Sequence, residues 1–181
     1  MLREAQRLEL LIQPIENQLG VIQDEMRVRL AGNECTPCLM SVPGAGPSMV
    51  MAIIAHLGDG NRFESVSQVS NYVGFAPRID FSGKSQRFGH ITRQGCSAIR
   101  RVAVQSAWSL VRSKSGGALK EKHAELRSRR GKKIAIVAIA RKLVELLWTL
   151  MIKKETYRYV SDEDLKSKYR FYKTHFRGLV A

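Results

Sequence analysis

Acidic residues are scarce in this chain. No other feature of the composition says more about the kind of molecule that it binds. The 181 residues include 16 Asp and Glu against 30 Lys and Arg, which leaves a net charge of +14. An excess of this size is typical of proteins that bind a polyanion, and it favours nucleic acid over a membrane surface. A protein that is basic only for solubility is the alternative.

Cysteine is also scarce, and its three residues exclude an even-numbered disulfide framework. Cys35 and Cys38 have the CxxC spacing, but no second such pair follows that would complete a tetrahedral zinc site. We therefore expect small buried thiols. No secretory hydrophobic segment opens the sequence, so the cytoplasm is the expected location.

Long apolar runs without charges are missing as well. The most apolar segment, residues 134–152, contains Arg141, Lys142 and Glu145. A charge near the centre of a bilayer costs about 2.5–3.5 kcal/mol on insertion scales. The segment therefore predicts a buried core helix, and no membrane partner is expected.

The first segment that the sequence does define is a long helical arm over residues 1–33. Its apolar residues recur every four and three positions, the rhythm of a coiled-coil seam. They are Leu8, Ile12, Ile15, Leu19, Ile22 and Met26. Pro14 predicts a kink or a restart of the helix, because an interior proline loses a hydrogen bond. The seam requires a partner helix from this chain or another copy, and we expect a homo-oligomer formed through the arm.

A glycine-rich turn follows at the start of the predicted main domain, residues 36–154. Pro43, Gly44 and Gly46 separate a short helix at 36–41 from a helix that begins at Pro47. This order matches the helix-hairpin-helix motif, whose backbone N–H groups bind a DNA phosphate at a helix N-terminus. The predicted DNA contacts here are Gly44, Gly46 and Ser48. A turn used only for packing is the alternative.

Residues 78–95 form a basic, glycine-punctuated segment within an otherwise helical pattern. Its apolar residues predict two short strands or an irregular hairpin with Ser82-Gly83-Lys84 at the tip. The predicted fold is therefore mainly α, with one small β-hairpin. A hydroxyl becomes a nucleophile where cations stabilise the charge that develops on its target. From the residues alone, Ser82 as a turn residue bonded to its own backbone is the favoured interpretation. The predicted DNA-binding cations of this region are Arg78, Lys84, Arg87, Arg93, Arg100 and Arg101.

A second basic region covers residues 112–142, with eleven Lys and Arg against two acids. We interpret its densest part, residues 127–133, as a phosphate-contacting hinge in which Gly131 joins two helices. The predicted DNA contacts are Arg129, Arg130, Lys132 and Lys133. A solvated charged face is the alternative. Residues 155–181 are predicted to form a loosely packed basic aromatic tail.

The order of these motifs resembles the C-terminal half of the insertion-sequence one-ten transposases, the bridge-RNA-guided serine recombinases. The resemblance covers roughly residues 38–153 and is carried by four segments. They are VPGAGPSMVMAIIAHLGD, RFESVSQVSNYVGFAPR, DFSGKSQRFGHITRQGCSAIRR and IAIVAIARKLVELLW. The arm also resembles the coiled-coil linker of that family.

The resemblance implies a catalytic serine. In that family this half carries a serine in a Ser-Gly motif that attacks DNA and forms a transient phosphoserine bond, and Ser82-Gly83 is the matching position. A basic element that shapes the loop and holds phosphate matches Gly89, Ile91, Thr92, Arg93 and Gly95. A further element matches Ile99, Arg100 and Arg101.

The resemblance also implies what this chain lacks. Family members begin with a RuvC-like domain whose four carboxylates bind Mg²⁺, and no such domain precedes the arm here. We therefore expect a piece of a longer protein or the product of a truncated element, with no cofactor of its own and Mg²⁺ only in the missing domain. DNA and a guide (bridge) RNA are the expected partners, and transposition without help is not expected. The alternative is a non-catalytic helix-hairpin-helix module that binds nucleic acid.

Overall fold

The computed structural model describes residues 2–82 and 85–175, with the side chains of residues 2, 3, 5, 80–82, 85–88 and 171–175 outside the description. Its helices are α1 (Leu2–Ala31), α2 (Thr36–Met40), α3 (Pro47–Leu57), α4 (Val66–Val73), α5 (Ser97–Arg112), α6 (Gly117–Arg130), α7 (Lys132–Lys153) and α8 (Asp162–His175). Between α4 and α5 lie the strands β1 (Pro77–Ser82) and β2 (Ser85–Ile91). The prediction of a mainly helical fold with one small hairpin is confirmed.

Helix α7 lies at the centre of the fold and contacts α2, α3, α4, α5 and α6. Ile139, Leu143 and Leu147 are fully buried on it, and burying each such side chain stabilises the fold by about 1.5–3 kcal/mol. The buried core helix predicted over residues 134–152 is therefore confirmed. Among the helices of the described residues, none has the length and apolar character that a bilayer crossing requires.

One acidic side chain is buried in this core. Glu145 of α7 accepts hydrogen bonds from Arg141 Nε at 2.8 Å, from Lys142 Nζ at 2.8 Å and from the Ser70 hydroxyl at 2.6 Å. Burial alone would raise the pKa of Glu145, but the bonds from Lys142, Ser70 and Arg141 outweigh it and the pKa is lowered. Because Ser70 belongs to α4, this carboxylate ties α4 to α7.

The N-terminal arm is one helix. Residues Leu2–Ala31 are helical throughout, so the restart predicted at Pro14 does not occur. The surrounding residues are exposed, and water can therefore bind the Leu10 carbonyl that the proline leaves without its helical partner. The helix ends at Ala31, and Leu30, which is 1% exposed, joins the end of the arm to the core.

The C-terminal segment packs more closely than predicted. The Tyr157 backbone N–H donates to the Ser41 hydroxyl at 2.8 Å, and Tyr157 is buried. From α8, Lys168 Nζ donates to the Met40 and Val42 carbonyls at 2.5 and 2.6 Å. The prediction of a loosely packed tail is wrong for these residues, because Tyr157 is buried and Lys168 binds carbonyls at the end of α2. All three cysteines are half-buried free thiols, less enclosed than predicted.

We predict that Glu145→Gln lowers the free energy of unfolding by about 1–3 kcal/mol at pH 7, because charge-assisted hydrogen bonds are lost. The pKa of Glu145 lies below its ordinary value of 4.5 in the folded chain. Its contribution is therefore complete above pH 4.5 and is lost as the pH falls through the folded-state pKa. Urea unfolding between pH 7 and pH 3 measures both effects.

The matched control is Glu125→Gln, which removes an exposed ion pair with Arg129 and should change stability by less than about 1 kcal/mol. A Glu145→Gln penalty that stays constant from pH 7 to pH 3 would contradict the assigned role of the carboxylate.

Candidate nucleic-acid interface

The predicted basic hairpin is present, and Ser82 lies at its far end. Strands β1 and β2 pair antiparallel, and Ser82 opposite Ser85 is the pair farthest from the helices. Three steps along β2, from Phe88 to Ile91, oppose two steps along β1, from Pro77 to Ile79, which is the signature of a β-bulge. The side chains of Ser82 and Arg87 and the whole of Lys84 lie outside the description.

The base of the hairpin, residues 73–76 and 92–95, is closely packed. The Thr92 N–H donates to the Ala76 carbonyl at 2.8 Å, and the Arg93 N–H donates to the Gly74 carbonyl at 3.2 Å. Gly74 and Gly95 have φ angles of 80° and 118°, and a Cβ atom on either would lie 2.1–2.2 Å from a carbonyl oxygen of the opposite segment. Only glycine permits this approach of the two segments.

Arg100 joins the two sides of this base. Its Nη1 donates to the Val73 carbonyl at 2.8 Å and to the Gly95 carbonyl at 3.0 Å. The sequence predicts Arg100 as a phosphate contact, and the structure shows its guanidinium bound to the protein backbone. The side chain therefore helps to hold the hairpin on α4 and α5.

Three other predicted cations of this region are exposed. Arg78 lies on β1, Arg93 lies at the hairpin base and Arg101 lies in the first turns of α5. Within residues 2–82 and 85–175 none of the three side chains makes a hydrogen bond or an ion pair. Their charges are therefore available to a bound anion.

The Pro43–Gly46 turn packs against α5. Gly44 has a φ of 79°, and a Cβ atom there would lie 2.4 Å from the Ser106 carbonyl oxygen and 2.6 Å from the Leu110 nitrogen. Packing alone therefore explains why Gly44 is glycine. Pro47 is the first residue of α3, as predicted, and Ser48 is exposed beside it.

The turn faces a cleft of about 480 Å³ that α5 and α8 enclose. Gly46, Ser48 and Ser106 line it together with Asp164 and Lys168. Burial lowers the pKa of Lys168 to about 7, so this ammonium is only partly charged at neutral pH. The cleft therefore offers an anion little net positive charge.

In the second basic region Gly131 joins α6 to α7 as predicted, with a φ of 83°, and phosphate contact there stays a prediction. Arg129 Nη1 pairs with Glu125 at 2.9 Å, and Lys132 Nζ lies 5.1 Å from the centre of the Trp108 ring. Arg130 and Lys133 are exposed. The four predicted contacts therefore lie within one short stretch on either side of Gly131, and two of them also contact other side chains of the chain.

The predicted residues form three groups along α5 and do not meet in one cluster. The hairpin base contacts this helix at Arg100, the Pro43–Gly46 turn contacts it at Ser106 and Leu110, and α6 contacts it near Trp108. A helix rises about 1.5 Å per residue, so Ser106, Trp108 and Leu110 lie roughly 9–15 Å from Arg100 along the axis of α5. That spacing suits an extended ligand better than a small molecule.

Two features have no signal in the sequence pattern. His123 is an isolated histidine in a basic helix, and it is buried against Trp108 with ring centres 6.0 Å apart. Lys168 lies far along the chain from the carbonyls it binds. Within the described ranges, no three His, Cys, Asp or Glu residues form a group that could hold a metal ion.

Comparison with known proteins finds similarity to transposases. Residues 36–124 match the family described as Transposase IS116/IS110/IS902 family. A probable family 20 transposase of Pseudomonas aeruginosa is 27% identical over 149 residues, which cover 81% of this chain and 44% of that protein. The transposase for insertion sequence element IS1111A of Coxiella burnetii is 28% identical over 145 residues, which cover 79% and 40%.

A third relative carries the family's name. The insertion element IS110 uncharacterized 43.6 kDa protein of Streptomyces coelicolor is 23% identical over 139 residues, which cover 76% of this chain and 34% of that protein. The chain thus spans less than half the length of each of these curated relatives.

We predict that Arg100→Ala lowers the free energy of unfolding by about 1–3 kcal/mol, because it removes two hydrogen bonds from a charged donor. It should also speed hydrogen exchange at the Thr92 and Arg93 amides of the hairpin base. Arg101→Ala is the matched control and should stay within about 0.5 kcal/mol of the wild type. Equal effects of the two substitutions would contradict a bridging role for Arg100.

Proposed function

We propose that the chain is the DNA-binding, serine-bearing part of a transposase, because residues 36–124 match the family described as Transposase IS116/IS110/IS902 family. Its task in transposition is to hold DNA and to present the Ser82 hydroxyl to a backbone phosphodiester. The observation that carries the proposal is the position of Ser82 at the outermost pair of a hairpin whose base is closely packed.

Charge supports DNA as the partner. The chain carries +14, and Arg78, Arg93 and Arg101 are exposed without partners among the described residues. Neutralising phosphates with such side chains releases counterions, so the affinity should fall steeply with salt. A helix-hairpin-helix role for Gly46 and Ser48 belongs to the proposal, while Gly44 acts through packing.

The proposed reaction is a transesterification. Ser82 Oγ forms a bond to phosphorus while one P–O bond of the DNA backbone breaks, and the serine proton ends on the released DNA oxygen. Nearby arginines stabilise the charge that builds on the phosphate oxygens in the transition state. The bond count is unchanged, so a later attack on the phosphoserine by a DNA hydroxyl can rejoin the strands.

A rigid base matters for this reaction because nucleophile and phosphorus must meet within a few tenths of an ångström. The contacts of Gly74 and Gly95 and the bonds of Arg100 restrain both strands where they leave the helices. We infer that these residues position Ser82 without contacting DNA. Guide RNA and the remainder of a full-length transposase are further proposed partners.

The test is a search for a covalent protein–DNA adduct. The chain is incubated with an intact longer relative, its guide RNA and donor DNA in a magnesium buffer, and the products are separated on a denaturing gel. We expect an adduct on this chain with the wild type and none with Ser82→Ala, because the attacking oxygen is gone. Ser85→Ala, the opposite residue of the pair, is the matched control and should keep the adduct.

DNA affinity is measured in parallel and should be nearly the same for all three proteins. Normal DNA binding without an adduct would leave a non-catalytic nucleic-acid-binding module in which Ser82 is a turn residue. An adduct that persists in Ser82→Ala would place the nucleophile elsewhere.

The arm supports a second proposal, that a second copy of the chain covers its apolar seam. Leu8, Ile12, Ile15, Leu19 and Ile22 follow the coiled-coil spacing and are 49–59% exposed. Exposed apolar patches of this extent mark association surfaces. An identical arm offers the same seam, which suits a symmetric dimer.

We predict that the double substitution Ile15→Asn and Leu19→Asn shifts the chain toward a monomer, because it places polar groups in the seam. Leu10→Asn is the matched control, since Leu10 is 75% exposed on the same helix but outside the seam. Sedimentation equilibrium measures the mass of each protein. A wild-type chain that remains monomeric at high concentration would refute association through the arm.

A further inference from the structure

The imidazole of His123 on α6 is an unsatisfied polar group. The residue is 4% exposed, and its Nε2 atom is buried without a hydrogen-bond partner in the part of the chain that the structure describes. The large majority of buried side-chain polar atoms in folded proteins have a hydrogen-bond partner. An unpaired ring nitrogen therefore suggests that a ligand supplies the missing contact.

His123 lines a cavity of about 430 Å³ between α5 and α6. The other lining residues are Val111, Lys120, Ala124, Arg127 and Ser128. The lining residues of α6, from Lys120 to Ser128, are three or four positions apart in the sequence, so they lie on one face of that helix. The cavity thus combines a small apolar wall with two cationic side chains and a hydroxyl.

The cations at this cavity are accessible. The Arg127 guanidinium is exposed and has no partner among the described residues. Lys120 Nζ donates to the Ser113 carbonyl at 2.9 Å and is also exposed. Lys132 of α7 lies over the Trp108 ring, and that ring packs edge-on against His123.

The charge around His123 is strongly positive. Residues 112–133 carry nine Lys and Arg against Glu121 and Glu125, and Glu125 is already paired with Arg129. Burial first, and then the charges of Arg127 and Lys132, lower the pKa of His123. The imidazole is therefore neutral at pH 7 in the free chain.

We propose that this cavity binds a backbone phosphate of a DNA strand, with Arg127 and Lys120 providing charge and His123 donating a ring N–H. The inference rests on the proposed DNA-binding function and adds a contact site remote from the hairpin. The apolar wall of Val111 and Ala124 suits the sugar next to the phosphate. Ser128 adds a hydroxyl at the rim.

Binding at this site has a specific spectroscopic consequence. A phosphate beside His123 offsets the charges of Arg127 and Lys132 and favours the imidazolium, so the pKa of His123 rises when DNA binds. By linkage, DNA affinity should increase as the pH falls through the pKa of the bound state toward the lower pKa of the free chain. A histidine that is only buried in the core would show neither effect.

The experiment is an NMR titration of the His123 ring protons in the full chain. It is run alone, with a duplex DNA oligonucleotide, with inorganic phosphate, and with a duplex whose backbone is uncharged methylphosphonate. We expect the charged duplex to raise the pKa of His123 and the methylphosphonate duplex to leave it unchanged. Inorganic phosphate should shift it only weakly, because it lacks the neighbouring contacts of a strand.

A pair of variants supplies a second measurement. Arg127→Gln should reduce the slope of log affinity against log salt by about 0.9, the loss of one phosphate contact. Arg129→Gln, two residues away on the same helix and paired with Glu125, should change the slope less. Both side chains are exposed, so both variants are expected to fold.

The outcomes separate this inference from the proposed function. DNA binding with no change in the pKa of His123 and no effect of Arg127→Gln overturns the phosphate site alone. The absence of any DNA binding overturns the proposed function and this inference with it. A shift with inorganic phosphate but not with duplex DNA identifies a free-phosphate site and overturns the assignment to DNA.

Discussion

The burial of α7 is the interaction on which the rest of the structure depends. Five other helices pack against it, and its one buried acid, Glu145, receives hydrogen bonds from α7 itself and from Ser70 of α4. Helix α4 ends at Gly74, where the hairpin base begins. The position of the hairpin, and of Ser82 at its end, therefore follows from how α4 is held on α7.

Helix α5 distributes the candidate contacts along one axis. Its first turn holds the hairpin base through Arg100, whereas the Pro43–Gly46 turn, at Ser106 and Leu110, and α6, at Trp108, both contact its second half. Such an elongated arrangement suits a polymer that is bound at several phosphates. It also means that the hairpin base can be altered separately from the other two groups, because well-separated sites contribute almost additively.

The net charge of +14 is larger than the positive charge that is free to bind nucleic acid. Arg141 and Lys142 neutralise a buried carboxylate, Arg100 binds backbone carbonyls, and burial leaves Lys168 only partly charged at neutral pH. The predicted phosphate contacts included Arg100 because sequence alone cannot tell a guanidinium that binds carbonyls from one that is free. The packed structure makes that distinction, because the carbonyls that bind Arg100 belong to Gly95 and Val73, 5 and 27 residues away in the sequence.

Local rules determined much of this protein from sequence alone. Pro47 opens α3, Gly131 separates α6 from α7, and the charged but apolar segment at 134–152 is a core helix. Tertiary structure alone decided that Gly44 packs against α5, that α8 reaches the end of α2 and that Nε2 of the buried His123 has no partner among the described residues. Caps, turns and periodicity depend on neighbours a few residues away, whereas these three outcomes depend on atoms that only the packed helices bring together.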